Sequence, residues 1–249
     1  MDKVVAIIPS RLESTRLPKK ALSNILGIPM IVHVYQRCLF AKKLDEVYVA
    51  TDSIEIKEVV ESFGGKVIMT SSEHQTGTDR IAEASQSIVA DIIVNVQGDE
   101  ALVNPQDIDK VVSILKVSPK INVAILVTPF NKKNSPSDIK VVLNENNDVM
   151  YLSRADIPSD ARKGNSGLLK AYHIVPFRKD FLIEFSKWEK SRLEKIEFNE
   201  YLRILEKGHT IKAVHVESDT LSVDTEEDLN YVIDKMKSDE LMPEYIGKY

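Results

Sequence analysis

Residues 3–9 read Lys-Val-Val-Ala-Ile-Ile-Pro, a nearly continuous apolar run of mostly β-branched residues closed by proline. Such a strand has no polar face to turn to water, so it has to lie inside a sheet covered on both sides. The sequence after it alternates. Strand patterns recur at 46–51, 66–70, 91–97 and 122–128. Helical spacing is read over 29–42, from an Asp52-Ser53 cap through Phe63, over 78–87 and over 105–115. Strict alternation of this kind implies right-handed crossovers and a mostly parallel α/β sheet with the opening strand at its centre.

The alternation stops after the fifth strand. Two short runs at 140–144 and 149–153 flank Asn-Glu-Asn-Asn-Asp and read as an antiparallel hairpin, the sign of a subdomain. Residues 154–169, rich in Gly, Ser, Pro and Asn, fit a mobile loop and are a candidate lid. A short apolar run at 172–175, a helix after Arg178 and a charged helix over 191–206 follow. A strand over 210–216 and a last helix opening at Thr225-Glu-Glu-Asp close the pattern, and residues 242–249 are expected to fray.

With 249 residues, 43% hydrophobic and 29% charged, the chain is expected to fold as one domain. Its core is expected over 1–130 and 210–240, and a substrate-binding and dimerisation subregion over about 138–209. A net charge of −5 gives no general attraction to nucleic acid or to acidic membranes, so the partner is expected to be small. One cysteine, Cys38, excludes an internal disulfide and is expected in the core. No apolar run is long enough to span a bilayer, and Met1-Asp-Lys leads straight into a strand, so a cytoplasmic location is expected.

The loop behind the first strand carries Arg11, Arg16, Lys19 and Lys20 with the hydroxyls of Ser10, Ser14 and Thr15. Ligands of open α/β sheets sit outside the carboxyl ends of the strands, where these cations and hydroxyls suit a nucleoside triphosphate. Asp99, in Gln97-Gly98-Asp99-Glu100 behind the fourth strand, should lie on the same edge. Gly98 would allow close approach of the backbone, and a hard carboxylate there suits Mg2+. Read alone, Asp99 also fits a turn and Asp224 a helix cap.

The run IIPSRLESTRLPKKAL resembles the first motif of the CMP-Kdo synthetases, the 3-deoxy-manno-octulosonate cytidylyltransferases. VYVATD, TGTDRIAEA, NVQGDE, IKVV, MYLSRADIP, LEKIE and VDTEEDL follow in that family's order and cover almost the whole chain. The resemblance implies a three-layer Rossmann-like nucleotidyltransferase fold and a homodimer. It also implies Mg2+-dependent transfer of CMP from CTP to the anomeric hydroxyl of a 2-keto-3-deoxy sugar acid, in lipopolysaccharide or other cell-surface polysaccharide synthesis. Arg11, Lys20 and Asp99 would be catalytic, and Asp99 and Asp224 the metal ligands. Pro9, Ser10, Arg11, Arg16, Lys20, Ser71, Ser72, Thr76, Gly77, Arg80 and Gln97 would bind nucleotide. Arg154, His173, Glu197, Glu200 and Tyr201 would line the acceptor site.

The acceptor region departs from the family pattern. Ala171 stands where the family has a contacting histidine, Val175 for a tyrosine, His173 and Pro176 for glycines, and Tyr201 for a glutamine. Polar contacts to hydroxyls discriminate between sugars, so an acceptor other than Kdo is one alternative. A CTP-binding relative without catalysis is another. The absence of any glycine before Gly27 argues against a dinucleotide oxidoreductase, and a glycosyltransferase would be expected to show Asp-x-Asp at Gly98-Asp99-Glu100.

Overall fold

The structure, a computed structural model, describes residues 2–14, 16–159, 167–218 and 221–247. β1 (Val4–Pro9) is buried at all six positions. Val4, Ala6 and Ile8 face one hydrophobic cluster and Val5 and Ile7 the other, so the strand separates two cores. A 3-10 turn at Lys20–Leu22 and a small ribbon of β2 (Asn24–Ile25) and β3 (Ile28–Pro29) lead into α1 (Met30–Cys38). β4 (Glu46–Thr51), α2 (Ile54–Ser62), β5 (Val67–Met69), α3 (Gly77–Gln86), β6 (Ile92–Val96) and α4 (Pro105–Val117) continue the alternation. β7 (Ala124–Phe130) then opens the second half of the chain.

That half contains the hairpin β8 (Lys140–Leu143) and β9 (Val149–Ser153), then β10 (Leu168–Tyr172), β11 (Ile174–Arg178), α5 (Lys179–Ser186), α6 (Arg192–Glu197) and α7 (Tyr201–Glu206). β12 (Lys212–His215), α8 (Glu226–Met236) and α9 (Pro243–Ile246) complete it. The first sheet has the order β11-β6-β1-β4-β5, parallel except at β11. A second sheet, β12-β7-β10-β8-β9, is antiparallel except for the β12–β7 pair. A bridge between Val123 and Phe177 links the two. The fifth strand therefore leaves the parallel sheet, and an antiparallel strand from much later in the chain, β11, pairs with β6 instead. Only His173 separates β10 from β11, so the chain passes from one sheet to the other at that residue.

Two other expectations change. The charged helix over 191–206 is two helices, because Phe198 adopts a left-handed conformation (φ 50°) and the Asn199 side chain accepts from the Tyr201 amide at 3.0 Å. The tail is docked through residue 247, with Tyr245 fully buried and its hydroxyl 2.8 Å from His33 Nδ1. Phe177, Phe181 and Phe185 lie in the core, and Ile196 and Phe198 are the large apolar side chains exposed beyond α5 up to β12. Part of the candidate lid, residues 160–166, lies outside the described residues, as does Thr15. No described helix is long and apolar enough to cross a membrane.

Candidate active site

β1 ends at Pro9 and β6 at Val96, and because the two strands are parallel neighbours their following turns emerge on one edge. Gly98 lets those turns touch: a Cβ there would lie 2.9 Å from the Pro9 carbonyl oxygen. A Cβ at Gly77 would lie 3.1 Å from Pro9 Cγ, so the N-terminus of α3 closes in as well. The three turns enclose a cleft of about 280 Å3 lined by Ser10, Arg11, Arg16, Lys20, Gln97 and Asp99, with Pro9, Thr76, Gly77, Arg80 and Asp224.

Lys20 Nζ lies 2.6 Å from Asp99 Oδ2 and 3.2 Å from Asp224 Oδ1, across 204 residues of chain. Arg16 reaches the same Asp224 oxygen at 2.9 Å. Asp224 is free for these contacts because Thr225 takes the capping position of α8, in a reciprocal arrangement with Asp228. The Val223 amide donates to the Asp99 carbonyl at 3.1 Å, which ties the two acidic segments together. Burial works against the charged form of Lys20, but the two carboxylates outweigh it and hold its pKa above that of an ordinary lysine.

Two paired hard carboxylates fit Mg2+, which commonly takes one or two protein carboxylates and completes its shell with water and phosphate oxygens. No group of three or more His, Cys, Asp or Glu is placed to hold a metal unaided among the described residues. The N-terminus of α3 adds unsatisfied amides that favour an anion, and its cap is a reciprocal pair between Thr76 and Asp79. Asp79 is thereby committed to the helix start. Arg80, 5% exposed, is held by Asp52 at 3.0 Å and Thr70 at 2.6 Å. Gln97 donates to Asn95 Oδ1 at 2.9 Å, which leaves its own carbonyl oxygen toward Gly77.

Lys19 is the cation that does not join the cleft; its ammonium pairs with Glu55 at 2.7 Å. Ser71 and Ser72 also lie outside the lining, in a turn where the Ser71 amide donates to Glu83 at 3.0 Å. His74 and Gln75 from the same connection line the cleft instead. Nothing in their residue types set them apart from an ordinary polar turn.

A second cleft of about 550 Å3 adjoins the first, and Thr76, Gln97, Asp99 and Asp224 line both. Its walls include His173, Glu200 and Tyr201. His173 stacks on Tyr201 with centroids 6.1 Å apart and forms no hydrogen bond to a described residue. Burial, with help from the nearby Lys170 and Arg154 charges, brings the His173 pKa down to about 4 despite the Asp99 charge, so the imidazole is neutral near pH 7. Glu200 accepts from the Thr78 hydroxyl, its other carboxylate oxygen is buried with no hydrogen-bond partner among the described residues, and burial raises its pKa.

Arg154 lines this cleft, but its guanidinium is already engaged by three carbonyls: Glu197 at 2.9 Å, Pro136 at 2.7 Å and Phe198 at 3.2 Å. It braces the bend between α6 and α7 that carries Asn199, Glu200 and Tyr201. Glu197 lies outside the lining, with its carboxylate accepting from the Ser153 hydroxyl at 2.8 Å and the Arg154 amide at 2.9 Å. The cations facing this cleft without such backbone ties are Lys190, just before α6, and Lys195 within it, which the sequence hid in a run of charges.

Residues 5–211 match the family model described as cytidylyltransferase. The 3-deoxy-manno-octulosonate cytidylyltransferase of Geobacter metallireducens is 42% identical, covering 94% of this chain and 98% of that protein. The protein of the same name from Escherichia coli is 38% identical, covering 90% and 92%. The solved structure of a CMP:2-keto-3-deoxy-manno-octonic acid synthetase complexed with CTP has a TM-score of 0.91 at 38% identity, covering 94% of this chain and 98% of that one. The 4-diphosphocytidyl-2C-methyl-D-erythritol synthase of Anaerococcus prevotii, at 13% identity and a TM-score of 0.64 over 95% and 96%, shares the fold.

Proposed function

The chain belongs to the cytidylyltransferase family, and on that premise we propose that it transfers CMP from CTP to the anomeric hydroxyl of 3-deoxy-manno-octulosonate, releasing pyrophosphate. The observation that carries the proposal is the junction of the two clefts. Asp99 and Asp224 line both, with Lys20, Arg16 and Arg11 on the nucleotide side.

The sugar hydroxyl oxygen attacks the α-phosphorus of CTP, the bond to the bridging oxygen of pyrophosphate breaks, and the hydroxyl proton is released to solvent. Negative charge grows on the phosphoryl oxygens and on the leaving group. Arg11, Arg16 and Lys20, gathered along one side of the cleft, stabilise that charge once their guanidinium and ammonium groups meet the phosphates. Arg11 is exposed at the cleft and forms no ion pair with a described residue, so its guanidinium is available for phosphate. Asp99 and Asp224 would hold Mg2+, which when bound neutralises phosphate charge and polarises the phosphoryl group. Ser10 and Gln97, with the backbone at Thr76 and Gly77, face the base and ribose. In the second cleft Lys190 and Lys195 attract the sugar carboxylate, and the neutral His173 imidazole offers a hydrogen-bond acceptor to a sugar hydroxyl.

The test is pyrophosphate release from purified protein with CTP and Mg2+, offered Kdo and a panel of other sugar acids, with chelator as the control. Turnover with Kdo that stops when the metal is removed is expected. Turnover confined to another sugar acid would replace the acceptor, and CTP binding with no turnover on any acid would leave only a nucleotide-binding relative. The same reading places the enzyme in the cytoplasm as a homodimer, feeding an activated sugar to cell-surface polysaccharide assembly. Recovery in a membrane or exported fraction of its host would refute that location.

A further inference from the structure

The carboxylates where the clefts meet already have cations. Lys20 Nζ contacts Asp99 at 2.6 Å and Asp224 at 3.2 Å, while Arg16 takes the same Asp224 oxygen at 2.9 Å. Two negative charges are therefore met by two tethered positive ones before any ligand arrives. The Lys20 side chain is only 19% exposed, and its ammonium sits between the two carboxylates that would hold a divalent ion, in contact with one oxygen of each. A divalent cation arriving alone meets a like charge in its seat. Nothing it brings gives the ammonium another anion to pair with, and in a half-buried site that repulsion is weakly screened. A triphosphate changes this balance, because its oxygens offer Lys20 and Arg16 new acceptors and release both carboxylates at once.

Resting on the cytidylyltransferase reading above, we infer that Lys20 sets the order of binding: it occupies the space between Asp99 and Asp224 until nucleotide draws it away, so the divalent cation binds with or after CTP and not before. Lys20 thereby acts as a positioning residue for the metal, in addition to its contact with phosphate.

The experiment measures Mn2+ binding by titration calorimetry and by loss of the free-ion paramagnetic signal, with and without CTP and in the absence of acceptor. The wild type is expected to bind Mn2+ weakly alone and at least tenfold more tightly with CTP. Lys20→Met, which removes the charge and keeps the length, is expected to bind Mn2+ without nucleotide at least tenfold more tightly than the wild type. Adding Asp99→Asn should abolish that gain. Lys20→Gln is the second variant should the methionine side chain impair folding, and thermal melting reports the fold of each. The inference is overturned if either folded variant binds Mn2+ alone no better than the wild type. It is equally overturned if the wild type binds Mn2+ as tightly without CTP as with it. A wild type that binds no CTP at all would refute the nucleotide reading itself, which separates the two failures.

Discussion

Replacing Gly98 by alanine tests whether the turns behind β1 and β6 depend on direct backbone contact. The added methyl would lie 2.9 Å from the Pro9 carbonyl oxygen, 3.3 Å from Ile31 Cδ1 and 3.6 Å from Ile8 Cγ2. The Ile31 methyl is the end of a flexible side chain and can give way. The Pro9 carbonyl cannot, because the end of β1 is fixed to β4 through the Pro9–Ala50 register and the Ser10 amide bonded to the Ala50 carbonyl at 2.9 Å. The two turns must therefore separate by a few tenths of an ångström. Overpacking of this kind costs about 1–3 kcal/mol. For a domain of this size each kcal/mol lowers the melting temperature by roughly 2–4 °C, so a fall of roughly 2–12 °C is expected. Asp99 moves with one turn and Arg11 and Lys20 with the other. A displacement of 1 Å can cost about a hundredfold in rate, so a loss of around tenfold in kcat/KM is expected for the smaller shift. Differential scanning fluorimetry and pyrophosphate release measure the two effects. Gly247→Ala is the control, since nothing lies within 4 Å of a Cβ there. A Gly98→Ala protein with wild-type melting and wild-type rate would refute the reasoning.

Asp99→Asn keeps the side-chain shape and removes a charge, so turnover should fall by about a hundredfold or more while circular dichroism and melting stay near wild type; near-normal rates would put the site elsewhere. Tyr245→Phe removes the hydroxyl beside His33 and should cost about 1 kcal/mol, read as a lower urea midpoint. Burial first, and then the Arg37 charge, lower the pKa of His33. The unfolded chain accordingly takes up this proton near pH 6.5 while the folded chain resists it, so His33 contributes full stability above about pH 6.5 and progressively less below it. Urea midpoints between about pH 7.5 and about pH 5.5 should fall less steeply in His33→Gln than in the wild type, and equal slopes would rule this contribution out. Phe198 and Ile196, 78% and 60% exposed, are the candidate dimer contacts; Phe198→Ser is expected to shift sedimentation toward the monomer, and an unchanged sedimentation coefficient would discount that face.

The sequence alone determined the elements whose signals are local. The burial of β1 on both faces, the alternation through α4 and the β8–β9 hairpin follow from periodicity and turn chemistry within a few residues, and the shared edge of the cationic turn and Asp99 follows from the parallel order that the alternation implies. The tertiary structure decided which distant segments meet. It left β7 to a second sheet, gave its place beside β6 to β11, and so put His173 at the crossing and in the second cleft. It turned Lys19 to Glu55, engaged Arg154 with three carbonyls, and gave the capping of α8 to Thr225 so that Asp224 could reach Lys20. Strand and helix patterns are properties of a short window, whereas the choice of partner depends on which faces pack together. Sheet partners, and the ion pairs that close a site between them, are settled only when the whole core condenses.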